Sequence, residues 1–322
     1  MSGLNKAGNS MDNCLDNVSG RSVPNNFSWV DGEWVANMSI PTRTTAVLYG
    51  ASVFDNCRAW RGADCASVYG LVDHIERFRR SATEALLDLP VKDSDLTDGI
   101  AAVLSCSPPN KFVRVRMLAF GADEELCSRR ASVVIFALPV EGYAPLNPRL
   151  VTSTTRRRVS GDLPRTLKSP SGYLFVRREV ARARVAGYDD VVLVNEHDRI
   201  SEATRSNLVI VNGSVFSSPP TSEGALPGVT KRIVRQLVTA AGFRWESRPI
   251  DCQELTSAEG VLLTSSSLGV TAAQSVNDRQ LATTEAMQTI CARYADLPFA
   301  ESDHASLSVL PLRDQAEKVS FG

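Results

Sequence analysis

The chain has 322 residues, enough for one large domain or two modest ones, and 43% of them are hydrophobic, enough for an ordinary buried core. A formal net charge of −1 gives no global field for nucleic acid or an anionic membrane, and no apolar run reaches the roughly 18–20 residues that span a bilayer. Seven cysteines without paired spacing and three scattered histidines argue against a disulfide framework and a metal cluster, so no metal is expected.

Residues 1–22 are polar, without periodicity and without the apolar centre of a signal peptide. They read as a disordered tail, and a cytoplasmic protein is the expectation. From Phe27 the pattern is strand-like, with a hairpin turn at Asp31-Gly32. Tyr49 to Trp60 reads as a strand, turned at Arg61–Asp64 into another over CASVYGLV. Asp73 can cap a helix carrying Ile75, Phe78, Ala82, Leu86 and Leu87 at helical spacing. LTDGIAAVLSCS reads as a second helix, and FVRVRMLAF and ASVVIFALPV as strands. Clustered strands and short turns predict an antiparallel α+β unit over residues 23–139.

Residues 140–148, with two prolines and a glycine, read as a linker to a second unit over 149–322. RLVTSTTRRR predicts a strand, and GYLFVRREVARARVAG a helix stopping at Gly187. Several strands follow, with an Asn212-Gly213 hairpin. GVTKRIVRQLVTAAG predicts a helix, GVLLTSSSLGVTAAQSV a strand–turn–strand, and TTEAMQTICARYADL a last helix.

No GxSxG elbow, GxGxxG fingerprint or GxxxxGK[ST] loop is present, which disfavours a serine hydrolase, a Rossmann site and a P-loop NTPase. Of the 35 basic residues only six are lysines, the other 29 being arginines, so few amines could act as a nucleophile. Lys6 and Lys318 are terminal, Lys92 lies in a charged stretch, Lys111 opens a strand and Lys231 opens a helix. Lys168 sits in RTLKSPSGY, a polar connection between strand and helix, where functional side chains are commonly held.

An ordered set of motifs surrounds Lys168. It runs from Tyr49-Gly50, Val53-Phe54-Asp55 and His74-Ile75-Glu76-Arg77-Phe78 through Tyr173, Ile200–Thr204 and Asn207-Leu208 to Leu226-Pro227-Gly228-Val229-Thr230. Over roughly residues 27–277 the chain resembles the class IV aminotransferases, the fold-type IV pyridoxal-phosphate enzymes. That family includes branched-chain and D-amino-acid aminotransferases and aminodeoxychorismate lyase. The resemblance implies a two-domain fold, with a smaller N-terminal α+β domain and a larger C-terminal domain built on a β-barrel-like core.

It also implies pyridoxal 5′-phosphate as cofactor, held by a Schiff base to Lys168, whose amine would then move the substrate proton. Glu202 would place a negative charge against the pyridine nitrogen. Arg77, Val229 and Thr230 at a helix start, and the Ser265-Ser266-Ser267 turn would form the phosphate site, with Ser266 as the principal hydroxyl. Tyr173 would meet the ring oxygen, and Asn207 and Leu226 would complete the cofactor site.

Substrate would meet Phe54, Asn56, Arg114 and Ser267. Phe54, Asn56 and Arg58 share one strand face, and Phe112, Arg114 and Arg116 another. Asn56 stands where relatives often carry glycine, and Arg116 is an additional arginine. The Asn56 amide suits a polar substrate better than a branched aliphatic one, whereas Arg116 would face the pocket or else reach solvent or a structural carboxylate. The implied reaction moves an amino group between an amino acid or amine donor and a 2-oxo acid acceptor. A lyase or other carbanion reaction on the same cofactor is the alternative, and a non-catalytic binding relative is a third reading. A homodimer is implied, with no nucleic-acid or membrane partner.

Overall fold

A computed structural model of the chain describes residues 27–140, 147–159, 164–299 and 304–312. The tail expected over 1–22, and residues 141–146 of the expected linker, lie outside the described residues.

The first body is a seven-stranded antiparallel sheet. Its spatial order is Leu307–Pro311, Cys65–Tyr69, Ser52–Arg61, Lys111–Gly121, Ala131–Pro139, Phe27–Val30 and Glu33–Ala36. The Asp31-Gly32 hairpin forms as expected, with positive φ at both residues. At the centre, Ser52–Arg61 lies against Lys111–Gly121, placing Asn56 opposite Arg116 and Arg58 opposite Arg114. Alternation gives this pair two distinct faces. Val53, Cys57, Ala59, Val115 and Met117 point into a core closed by the helices Leu71–Glu84 and Asp93–Ser105 through Ile75, Phe78, Leu96 and Ile100. Each such fully buried aliphatic or aromatic side chain contributes roughly 1.5–3 kcal/mol. Phe54, Asn56 and Arg116 point the other way, into a cavity.

The Leu71 helix starts two residues before the expected cap. Gly70 caps it in the left-handed conformation (φ 58°), and Asp73 instead sits in the first turn and pairs with Arg232. A Cβ on Gly70 would overlap Val229 Cγ1. Glycine therefore lets the start of this helix rest directly on the start of the Val229–Ala240 helix.

Two five-stranded sheets make the second body. One runs Arg244–Ser247, Val215–Ser218, Asn207–Asn212, Gly260–Ser265, Gly269–Ala272. The other runs Arg279–Gln280, Ser275–Val276, Arg149–Thr152, Asp190–Val194, Ile200–Ala203. They enclose one core of Leu150, Val192, Val194 and Ile200 against Leu208, Ile210, Val261 and Leu263, the barrel-like body that the resemblance implies. Strands such as Asn207–Asn212 are apolar on both faces because helices cover their outer side. Val209 and Val211 pack on Ile233, Val234 and Leu237 of the Val229 helix and on Met287 and Ile290 of the helix Glu285–Asp296. The helix Tyr173–Val185 covers the other sheet through Val176 and Ala183.

The strand expected over RLVTSTTRRR ends at Thr152. Ser153 N–H still donates to Val192 O, but the Val194 amide donates to Ser153 Oγ in place of a backbone carbonyl, and an isolated bridge at Arg157 resumes the backbone pairing. At the other end of the chain, Leu307–Pro311 returns to pair with Cys65–Tyr69, so the stretch assigned to the second unit finishes in the first sheet.

Candidate active site

A cavity of about 360 Å³ opens between the first sheet and the barrel-like body. Lys168 reaches it from a loop fixed on both sides. Its backbone N–H donates to Ser81 Oγ at 3.2 Å, and its carbonyl accepts from the Phe54 amide at 3.0 Å. Ser169 then caps a single 3-10 turn, Pro170–Gly172, which leads into the Tyr173 helix. This brings Lys168 Nζ to 3.5 Å from Tyr173 Oη and 4.8 Å from the centre of the Phe54 ring.

Glu202 lies on the wall, on the strand Ile200–Ala203. Its Oε1 accepts from Arg157 Nη1 at 2.9 Å, and its Oε2 accepts from the Leu226 amide at 2.9 Å and from Asn207 Nδ2 at 3.4 Å. A carboxylate has about four acceptor positions, so three partners leave one for a ligand. Asn207 also donates to Leu226 O at 2.9 Å. Asn207 and Leu226 thus hold the carboxylate, a role that the sequence alone does not separate from cofactor contact.

The opposite end is built for an anion. The Val229–Ala240 helix starts at Gly228 with no side-chain cap, so its first backbone N–H groups face outward at the positive end of the helix dipole. A Cβ on Gly228 would overlap Asn207 Oδ1, so only glycine lets this turn close on Asn207. Thr230 Oγ1 lies 3.5 Å from Ser266 Oγ. Thr264 Oγ1 and Ser206 Oγ, both on the cavity wall, are buried without a hydrogen-bond partner among the described residues. Orphaned hydroxyls, free helix amides and a carboxylate with one acceptor position open fit a polar, phosphorylated ligand.

Arg77 also borders the cavity, yet it is heavily committed within the protein. Nε and Nη2 each donate to Asp55 at 2.7 Å, and Nη1 donates to Pro227 O at 3.0 Å. Asp55 takes a further contact from His74 Nδ1 at 2.7 Å, and His74 Nε2 lies 3.2 Å from Ser266 Oγ. Asp55, His74 and Arg77 are buried. Burial alone would raise the Asp55 pKa, but the charges and hydrogen bonds of Arg77 and His74 hold it well below the usual carboxylate range. Burial pushes His74 down, partly offset by Asp55. The sequence alone gives neither Asp55 nor His74 a role. The available signal is a carboxylate on the apolar face of a strand, with two basic residues three positions apart on a neighbouring helix.

The serine turn is differentiated. Ser265 Oγ accepts from the Leu268 amide at 3.1 Å and shapes the turn, Ser266 faces His74, and Ser267 lies 3.5 Å from Arg114 Nη1. Arg114 stands behind Ser267, set back from the cavity wall on which it was expected. Of the two arginines on this strand face, Arg116, left out of the expected substrate set, is the one that lines the wall, with Nε 3.0 Å from Asn56 Oδ1. The reason is register: Arg114 faces Arg58, which turns to Ser267 O and Phe112. Lys231, the other amine nearby, is turned away and donates to Pro219 O at 3.0 Å. Burial lowers its pKa, with Glu202 opposing. Among the described residues no group of three or more His, Cys, Asp or Glu is placed to hold a metal, and no helix is long and apolar enough to cross a membrane.

This chain is similar to branched-chain-amino-acid aminotransferase 6 of Arabidopsis thaliana, 27% identical over 262 residues, 74% of this chain and 71% of that protein. A probable branched-chain-amino-acid aminotransferase of Aquifex aeolicus is 24% identical over 272 residues, 81% of this chain and 88% of that protein. Among solved structures, the branched-chain aminotransferase of Thermoproteus uzoniensis with norvaline superposes with a TM-score of 0.82 at 24% identity, covering 88% of this chain and 98% of that one. The branched-chain amino acid aminotransferase from Escherichia coli gives 0.78 at 21%, covering 88% and 98%. These likenesses show the fold. The class IV amino-transferase family itself matches residues 52–276, well over half of the chain, so the chain belongs to the class IV aminotransferases, which use pyridoxal 5′-phosphate.

Proposed function

We propose that the cavity is the active site of this aminotransferase and that Lys168 is its catalytic amine. The observation that carries this reading is the position of Lys168 Nζ on a cavity with a held carboxylate, Glu202, on its wall and an anion-binding helix start, Val229-Thr230, beside Ser266. Thr230, Ser266 and the helix amides hold the phosphate group, and Glu202 supplies negative charge for the ring nitrogen. Bound pyridoxal 5′-phosphate contributes an aldehyde that exchanges with the amino group and a ring that withdraws electrons from the carbon losing its proton. Lys168 Nζ would take that proton and return it two atoms away, to the former aldehyde carbon on the other side of the nitrogen, and Tyr173 Oη would hold the amine in line. The packed wall of Phe54, Leu118 and Phe136 limits water.

The donor is an amino acid and the acceptor a 2-oxo acid, in keeping with the activity in the relatives' names. The comparisons do not favour the lyase alternative. Borohydride reduction of the yellow protein, followed by peptide mapping, tests the amine: the label is expected on the peptide holding Lys168, and label on Lys231 would overturn the assignment. An amino donor without acceptor should convert the cofactor to its amine form stoichiometrically, whereas a lyase would release a fragment and keep the original absorbance.

A homodimer and a cytoplasmic location belong to the same reading. The first rests on the family resemblance. The second rests on cysteine usage, the six among the described residues being free thiols. Light scattering that finds a fully active monomer, or fractionation that places the protein elsewhere, would remove them.

A further inference from the structure

His74 is buried, touches the anion end of the cavity, and has no part in the reading above. Its two ring nitrogens have different neighbours. Nδ1 is 2.7 Å from Asp55 Oδ1, and Asp55 is also gripped by two Arg77 nitrogens and the Asn56 amide. A carboxylate with those donors is ionised and can only accept, so Nδ1 carries a proton and the 3.3 Å approach of Arg77 Nη2 to it is a contact between donors. Nε2 has Ser266 Oγ at 3.2 Å.

The direction of that last bond decides what Ser266 can offer. With a neutral imidazole, Nε2 is an acceptor and takes the Ser266 hydrogen. The hydroxyl then presents lone pairs to the cavity and repels an anion. With an imidazolium, Nε2–H donates to Oγ, and the Ser266 hydrogen is free to turn to an anion beside Thr230.

We propose that His74 is a positioning residue that takes up a proton from solvent, on Nε2, when a phosphate group binds against Ser266, turning Ser266 from a donor to the imidazole into a donor to the phosphate. The inference rests on the reading of the cavity as the cofactor site. The groups that face His74 are Asp55 from the central strand, Arg77 from its own helix and Lys168 from the loop. Asp55 favours the imidazolium, whereas burial, Arg77 and Lys168 oppose it. A bound dianion adds the missing negative charge on the far side of the ring, and by linkage its affinity falls as pH rises through the window between the free-state and bound-state pKa of His74.

The test uses pyridoxamine 5′-phosphate, which forms no covalent bond to lysine. Calorimetric titration at pH 7.5 in buffers of different ionisation enthalpy should show about one more proton taken up by the wild type than by His74→Gln, whose amide does not titrate. Pyridoxamine lacking the phosphate should show no such difference. With only three histidines in the chain, two-bond ¹H–¹⁵N spectra of the wild type read the ring directly. Substituting His197 and His304 assigns the third signal even if His74→Gln does not fold. The ring should pass from the neutral Nδ1–H form to imidazolium on binding. Equal proton uptake in wild type and variant, or a neutral His74 in the complex, would overturn the proposal while leaving the cofactor site standing. No binding of pyridoxamine 5′-phosphate at all would remove both.

Discussion

Arg157 and Glu202 form an ion pair on the cavity wall, Nη1 to Oε1 2.9 Å, with side chains 15% and 14% exposed. The arginine comes from the bridge at residue 157 and the glutamate from the end of a strand, and the pair holds the carboxylate in place on the wall. Against the ring nitrogen of a bound cofactor, a carboxylate at hydrogen-bond range would shift that nitrogen by about 1–3 pKa units, equivalent to roughly 1–4 kcal/mol. Glu202→Gln should therefore lower the rate of the amino-donor half-reaction by about 10- to 1000-fold. Stopped-flow absorbance of the cofactor measures it, and an unchanged rate would remove Glu202 from the mechanism.

Asp55 joins Arg77 and His74 in the buried layer beneath the site. Asp55→Asn leaves the Arg77 charge without its counter-ion and should cost roughly 3–5 kcal/mol of stability, read by denaturant unfolding. The pH dependence follows from the directions of the shifts. Asp55 has a depressed pKa in the folded state, so its contribution is full above the usual carboxylate value near 4 and is lost as pH falls through the folded value. His74 is also depressed, so protonation favours the unfolded chain once pH drops below its ordinary value of about 6.5. The cofactor-free protein should weaken in two steps, below about 6.5 and again below about 4, and Asp55→Asn should shrink the lower step, to which Asp88, Asp189 and Glu246 also contribute.

The elements legible in the sequence are those whose signal is local. The hydrophobic periodicity of the Val229 and Glu285 helices, and the Asp31-Gly32 and Asn212-Gly213 turns, each depend on a few neighbouring residues. The strand Leu307–Pro311 is not legible because its partner, Cys65–Tyr69, is more than two hundred positions away. The helix Cys252–Ser257, capped by Asp251 on the Glu254 amide, is too short for periodicity to register. In the site, Lys168 stands out through its scarcity and its loop. Arg157 does not, because it lies in a run of three arginines and only the fold selects which one reaches Glu202. Asp55 and Asn56 are adjacent in sequence, and only strand alternation shows that one is sealed in the core and the other opens on the cavity.

Gly228 is the tightest point at the anion end. Its backbone, φ −74° and ψ 127°, suits any residue, so the constraint is space and not conformation. Gly228→Ala would drive Asn207 from its place, breaking its bonds to Leu226 O and Glu202. Overpacking of this kind costs about 1–3 kcal/mol. Because the displaced groups hold the Glu202 carboxylate, much of that cost should appear as cofactor affinity. Fluorescence titration should show cofactor binding weakened about 5- to 100-fold, and unaltered binding would mean that Asn207 moves without consequence.

Asn56 tests the reading of substrate preference. It lies opposite Arg116 in the central strand pair, accepts from Arg116 Nε at 3.0 Å, and is 8% exposed at the cavity wall. Arg116 in turn stacks over Phe54, 4.7 Å from the ring centre, so the three side chains form one polar-edged surface beside Lys168. A branched aliphatic side chain seated there would desolvate the amide and guanidinium without replacing their hydrogen bonds, at about 1–3 kcal/mol for each group left unpaired. A donor with a hydrogen-bonding side chain would keep them satisfied. Asn56→Gly removes the amide and enlarges the cavity, at about 0.5–1 kcal/mol of strand stability. The ratio of kcat/KM for leucine over glutamine should then rise about 10-fold or more, because specificity is a difference between two affinities and the variant relieves the penalty on leucine while taking a hydrogen-bond partner from glutamine. The comparison of the two donors in wild type and variant, each followed by the cofactor absorbance, gives the result directly, and a ratio that does not move would place the substrate side chain on a different wall.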